Sequence, residues 1–233
     1  MTNFYTTFAD YYDEIFPLKE QTLSFLKSYM SPGDRVLDLA SGTGTYAVEL
    51  FRDFTLVATD ISEAMVSIMK HKESDLDARE LSMEEIDQLD GSFDVIYCIG
   101  NSLVHLEDED TIKRVLKTIH KKLNPGGRLI IQIINYDRIL DQKIKSLPTL
   151  HNASKTMTFE RDYLLDEDHI LFKTTLKTPE GVRYNTNHLF PMRKDELLAI
   201  FRTLKMEVEI FGSFGKDPFD IKESQPLIAV AKK

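Results

Sequence analysis

The chain has 233 residues, 42% of them hydrophobic and 29% charged, enough for one sizeable apolar core. A formal net charge of −9 argues against a nucleic-acid backbone or an anionic membrane as the main partner. A lone cysteine, Cys98, excludes an intramolecular disulfide, and no run reaches the ~20 apolar residues needed to cross a bilayer.

The opening Met1–Tyr5 lacks a basic region leading into an apolar run, so no signal peptide and a cytoplasmic location are expected. Aromatic residues then crowd the chain: Phe4, Tyr5, Phe8, Tyr11, Tyr12 and Phe16. They suit either a helix packing its rings on a core or a lid over a ligand. Leu18–Met30 has Leu23, Leu26 and Tyr29 at helical spacing, and Ser31-Pro32-Gly33-Asp34 ends it.

An apolar strand, Val36–Leu39, follows, then a turn containing Gly42 and Gly44, then a helix over Thr45–Arg52. This is the strand–glycine turn–helix opening of a nucleotide-binding α/β unit. Glycines permit the tight turn, and the free N–H groups of a helix start supply donors. Gly42-Thr43-Gly44-Thr45-Tyr46-Ala47 also satisfies the G-x-G-x-x-A of a dinucleotide site. Asp38 sits inside the strand end, where a charge is costly unless it meets a donor or a polar ligand. Asp60 closes the next run, Thr55–Asp60, and an acid there is placed to accept from ribose hydroxyls.

Strands and helices go on alternating: helix Ser62–Lys72, a weak strand at Leu76–Leu81, a helical turn at Met83–Leu89, strand Phe93–Ile99, helix Glu109–Leu123 and strand Arg128–Ile134. That alternation predicts a parallel sheet covered by helices, with the Asn124-Pro125-Gly126-Gly127 stop before its fifth strand. Three β-rich runs follow, at 155–163, 170–176 and 182–190, with Asp166-Glu167-Asp168 and Thr178–Gly181 as turns. Helix Lys194–Leu204 and strands Met206–Phe211 and Pro226–Ala231 complete the chain. The expectation is one α/β domain over 1–233: a Rossmann-like, mostly parallel seven-stranded sheet with helices on both faces, and a small antiparallel β-sheet inserted at 150–191.

Ser82-Met83-Glu84-Glu85 reads as a helix cap with a capping box. After the fourth strand comes Ile99-Gly100-Asn101-Ser102-Leu103-Val104-His105-Leu106, at the carboxyl end where open parallel sheets bind ligands. Asn101 reads as a turn residue or a ligand contact, and His105 as a structural hydrogen-bonder or a contact. Metal-site spacings and the hydrolase elbow G-x-S-x-G are both absent from the sequence.

Asp38-Leu39-Ala40-Ser41-Gly42-Thr43-Gly44 resembles the D-x-G-x-G-x-G motif of class I S-adenosylmethionine-dependent methyltransferases, with Ala40 in place of the first glycine. Asp60-Ile61-Ser62-Glu63-Ala64-Met65 resembles their D-x-S-x-x-M, and Tyr12–Phe16 their N-terminal signature. The Asn101–His105 segment and Asn135-Tyr136-Asp137-Arg138-Ile139-Leu140 are similar to runs of the glycine N-methyltransferases and their small-molecule relatives. The resemblance implies S-adenosylmethionine as cofactor. Tyr12, Asp38, Ala40, Gly42, Gly44 and Asp60 would contact it, with Ile61, Met65, Ser82, Met83 and Ile99. Asn101 and His105 would face a small-molecule nitrogen or oxygen acceptor; a general base and the oligomeric state are not indicated.

Glycine N-methyltransferases carry a carboxylate-binding arginine just before the N-Y-D run, where this chain has Ile134. Glycine and sarcosine are therefore expected to be poor substrates and the acceptor neutral or cationic near Ile134, unless another arginine such as Arg183 substitutes. A nicotinamide-dependent oxidoreductase and a non-catalytic cofactor-binding module are the alternatives.

Overall fold

The computed structural model describes residues 4–166 and 168–233, with no side-chain placement for 4–7 and Asp10. The Met1–Asn3 start, the Phe4 and Tyr5 rings and Glu167 of the turn signal lie outside the described residues. In chain order the elements are α1 (Phe4–Ile15), α2 (Glu20–Lys27), β1 (Arg35–Leu39), α3 (Ala47–Phe51), β2 (Thr55–Asp60), α4 (Glu63–Lys72) and β3 (Asp77–Glu80). Then come β4 (Phe93–Cys98), α5 (Glu109–Lys122), β5 (Leu123–Ile134) and α6 (Tyr136–Asp141). The second half holds β6 (Ser146–His151), β7 (Thr158–Asp166), β8 (His169–Thr178), β9 (Gly181–Leu189), α7 (Lys194–Thr203), β10 (Glu207–Phe211) and β11 (Pro226–Lys232). None of the described helices is long and apolar enough to cross a membrane.

The main sheet has seven strands in the order β10-β11-β5-β4-β1-β2-β3. All its pairings are parallel except those of β11, which runs antiparallel to β5 and β10. Its strands are apolar at successive positions because both faces are covered. Leu37, Leu39, Ile96, Leu129 and Ile131 share one core with α5, α6 and α7. Val36, Leu56, Ala58, Val95 and Ile130 share the other with α2, α3 and α4. Capping follows the sequence signals: Ser62 Oγ accepts from Met65 N at 3.5 Å, and Asp108 accepts from Thr111 N at 2.7 Å. The α5 helix also carries acids in its first turn and His120-Lys121-Lys122 in its last, complementing its dipole.

The inserted sheet has four antiparallel strands, β6-β7-β8-β9, where the sequence predicts three. The extra one, β6, is an edge strand whose register on β7 shifts between Leu147 and Leu150, around Pro148. A proline and a mostly exposed surface hide its period in sequence. Smaller differences sit at element ends. Helix α2 is shorter than Leu18–Met30, although Leu18, Tyr29 and Met30 still pack on the core. Strand β5 starts at Leu123, before the proline–glycine stop, and runs through it, because Leu123 pairs with Phe93.

Gly44 shows why the turn after β1 demands glycine. Its φ is +74°, and an added Cβ would lie 2.5 Å from Met69 Cγ on α4, a side chain with no solvent exposure. Gly44→Ala is expected to destabilise the chain by roughly 1–3 kcal/mol through left-handed strain and overpacking. Urea unfolding at a fixed pH measures this.

Candidate functional site

Strands β1 and β4 lie side by side at the centre of the main sheet, but the chain leaves them toward opposite faces. Helix α3 after β1 packs in one core and α5 after β4 in the other. Their carboxyl ends therefore part and open a crevice. Asp38 and Tyr97, directly paired across the seam, lie beneath it, and the Tyr97 hydroxyl donates to Asp38 Oδ2 at 2.7 Å. Both are buried. Burial pushes the Asp38 carboxyl up to about 8, against the lowering effect of the Tyr97 bond, and the nearby Asp60 adds to the rise.

Above the seam the chain turns through three left-handed residues, Ala40 (φ 60°), Gly42 (φ 58°) and Gly44 (φ 74°). Alanine at 40 thus carries the conformational strain that a glycine would not. Asp60, at the tip of β2, receives Gly42 N–H at 2.8 Å on one oxygen and Ser62 N–H at 2.9 Å on the other. Burial raises its pKa, and those two backbone bonds offset part of the rise.

Helix α1 roofs the crevice. Asp13 accepts from Thr43 Oγ1 at 2.6 Å and Thr45 Oγ1 at 2.9 Å, and pairs with Lys72. Burial would raise the Asp13 pKa, but the bonds from Lys72, Thr43 and Thr45 outweigh it and hold the carboxyl below its usual range. The other side of α1 packs on the inserted sheet, with Phe8 stacked on Phe159 at 5.1 Å. The Tyr12 ring lies over Gly42, 3.6 Å from where a side chain there would begin.

Two neighbouring cavities result. One of about 280 Å³ runs under α1 and is lined by Tyr12, Ala40, Gly42, Asp60, Met65 and Asn101, and by Phe159, Arg161, Phe172, Thr174, Asn185 and Asn187 of the inserted sheet. The other, about 600 Å³, opens beside Ser82 and reaches His169 and His188. Ala40, Ile61, Met83 and His105 line both. Ile61 is 69% exposed, an aliphatic side chain standing free at the mouth.

Three residues singled out by sequence do not line either cavity. Asp38 lies behind the wall, bonded to Tyr97. Gly44 is packed against Met69. Ile99 packs against the core on the α2–α4 side, and its carbonyl accepts from Ser102 Oγ at 3.1 Å. Ser82 accepts from Glu84 N at 3.2 Å in a capping box, and it also lines the larger cavity.

Asn101 adopts φ 69° and ties two strand ends together. Its Oδ1 accepts from Ile134 N at 2.9 Å, and its Nδ2 donates to Tyr136 Oη at 3.0 Å. His105 is exposed at the cavities, and desolvation by the protein around it lowers its imidazole to about 4. It is therefore neutral at physiological pH. Ile134 also lines the smaller cavity and is apolar. Arg183 is engaged elsewhere, near Glu180 at 3.8 Å and over the Tyr11 ring. Sequence reasoning missed Asp13 as the clamp and the whole polar face of the inserted sheet. Residues 183–187, Arg-Tyr-Asn-Thr-Asn, are polar or amphipathic at every position, so no alternation marks the inward face in the sequence.

A methyltransferase domain family matches residues 36–127, the stretch from β1 to the β5 entry. Over 97% of its length the chain is 28% identical to a glycine/sarcosine/dimethylglycine N-methyltransferase of Actinopolyspora halophila, and it spans 41% of that protein. It is 27% identical, again over 97% of its length, to a glycine/sarcosine N-methyltransferase of Aphanothece halophytica, covering 88% of that one. In fold it is similar to a solved S-adenosylmethionine-dependent methyltransferase from Clostridium acetobutylicum, with a TM-score of 0.82, 17% identity and 99% of each chain covered.

The buried Asp38 carboxyl makes stability depend on pH. Its folded pKa of about 8 lies above the ordinary 3.8. Between those values the native state holds a proton that the unfolded chain has released, so stability falls as pH rises. Asp60 acts in the same direction. Urea midpoints measured from pH 5 to pH 8 are expected to fall for the wild-type chain, and to fall less steeply for Asp38→Asn.

Proposed function

We propose that this chain, which belongs to the class I S-adenosylmethionine-dependent methyltransferases, transfers a methyl group from that cofactor to a nitrogen or oxygen atom of a small molecule. The observation that carries the cofactor assignment is Asp60. It is an acid fixed at the tip of β2 by two backbone N–H groups, on the wall of a cavity that continues past the exposed Ile61 to Met83. A carboxylate so held keeps lone pairs for two ribose hydroxyls. Ile61 and Met83 would flank adenine, with Ser82 beside it, and Tyr12 and Met65 would close the ribose side. The left-handed turn Ala40–Gly44 would bring backbone beneath the ligand. Asp38, set behind that turn, would supply negative charge: a nearby cationic group lowers a carboxyl pKa, so the proton held at about 8 would be released on binding.

When bound, S-adenosylmethionine supplies a methyl group on a positively charged sulfur, already activated toward an acceptor lone pair. The protein's remaining work is to align the acceptor and exclude water. Helix α1 and the inserted sheet do the excluding, since Phe8, Phe16 and Phe159 close the cavity from above. Asn101 holds the floor in place through Ile134 and Tyr136, and so positions the acceptor side. Neutral His105 can donate or accept one hydrogen bond there; a pKa near 4 makes it a weak base, which suits positioning better than proton removal. Ile134 gives an acceptor an uncharged neighbour.

Calorimetry is expected to show S-adenosylmethionine binding to the wild-type chain. Asp60→Asn should weaken it by about 1.5–3 kcal/mol, the loss of hydrogen bonds to a charged acceptor. Unchanged affinity in the folded variant, or a rise in melting temperature with a nicotinamide dinucleotide and none with S-adenosylmethionine, refutes the assignment. Asn101→Ala is expected to lower turnover and stability together while cofactor affinity holds, because it frees the Ile134 N–H and leaves alanine at a left-handed φ.

A further inference from the structure

The inward face of the inserted sheet carries a polar row. Arg161 on β7 stands directly opposite Thr174 on β8, and Thr174 directly opposite Asn185 on β9. All three line the 280 Å³ cavity. On β7 and β8 the flanking pairs are apolar, Phe159 with Leu176 and Tyr163 with Phe172, while on β9 the flanking positions are Arg183 and Asn187. Within the polar row, Arg161 Nε, Thr174 Oγ1 and Asn185 Nδ2 are buried atoms without a hydrogen-bond partner among the described residues. One anchor orients the guanidinium: its Nη2 donates to Pro148 O at 2.7 Å.

Among the described residues, no carboxylate pairs with Arg161, and the one described acid lining the same cavity, Asp60, is bonded to Gly42 and Ser62. A partly buried guanidinium keeps its charge, and it is unfavourable next to orphaned polar atoms unless something fills the space. What fills it must be negative and must accept several hydrogen bonds at once. Oxyanions meet both demands, and guanidinium binds them in bidentate geometry.

We propose that Arg161, Thr174 and Asn185 form an oxyanion subsite that binds a carboxylate or phosphate group of the methyl acceptor. The proposal rests on the reading of this cavity as the acceptor site. It sets the anionic end against the inserted sheet, away from Ile134, so the arginine missing before the Asn135–Asp137 run is not needed for acceptor charge. Specificity for the acceptor then resides in the hairpins rather than at the end of β5.

Inorganic phosphate and acetate are the probes, titrated against the full chain in the presence of S-adenosylmethionine. Thermal shift is the readout, with chloride at matched ionic strength as control. At least one anion is expected to raise the melting temperature saturably. Arg161→Gln should weaken that binding about 10- to 100-fold, the size of a charged hydrogen-bonded contact. Asn185→Asp should weaken it similarly by placing a carboxylate across the row from the guanidinium, and it tests the same subsite if the arginine variant fails to fold. The shift caused by S-adenosylmethionine itself should be unchanged in both. A response to phosphate alone points to a phosphorylated acceptor, and to acetate alone, a carboxylate one. If neither anion acts, or if folded variants bind anions as the wild type does, the row is merely hydrated and the proposal is wrong. If S-adenosylmethionine gives no shift, the proposed function fails instead, and the same anion titration without it still decides the subsite.

Discussion

The Tyr97–Asp38 hydrogen bond sits at the place on which the rest of the site depends. Strands β1 and β4 must pair closely there, because both cores meet across them. They must also diverge immediately above, because their helices go to opposite faces. A buried carboxyl in the seam is costly when charged, and its raised pKa shows that the fold keeps it largely protonated. The hydroxyl of Tyr97 gives that carboxyl a partner inside the sheet. Leu39 and Ala40 can then leave the strand along a fixed path, and every residue of the left-handed turn inherits its position from that seam.

Helix α1 links what the seam creates to the opposite wall. One carboxyl, Asp13, gathers Thr43, Thr45 and Lys72, so the helix is tied to the turn after β1. Its aromatic side is tied to β7 through Phe159. The Lys72 contact is partly open to solvent and contributes modestly. Ring stacking and burial of Phe8 carry more of the docking. A rigid body that touches both walls makes the height of the cavity depend on both contacts at once.

What the sequence revealed and what it hid divide along the range of the interactions. The parallel strands were legible because burial on both faces writes itself as apolar residues at successive positions, as in Leu129-Ile130-Ile131. The turn and Asp60 were legible because they are local to a strand end. Gly44 was legible as a glycine, but its reason, the approach of Met69, lies in another helix. The Asp13 clamp joins residues far apart in sequence. The polar row was invisible for a further reason. Arg161, Thr174 and Asn185 come together only through the register of two hairpins, and a shift of one residue in either would turn part of the row outward. Strand β6 carries neither an apolar run nor a clean alternation, and Pro148 breaks its pairing.

The cavity's two halves come from separate pieces of the chain. Its floor is made by the ends of β1, β2 and β4, whose side chains are locked into the twin cores. Its far wall is one face of a four-stranded sheet whose other face meets solvent, as Tyr184 at 75% exposure shows. The polar row Arg161, Thr174 and Asn185 can change while the buried apolar rows that dock α1, such as Phe159 with Leu176, stay in place, whereas changes at the floor disturb both cores. Under the proposed function, a lineage descended from this chain would alter its acceptor by rewriting the polar hairpin residues of that wall while the residues around Asp60 stay unchanged.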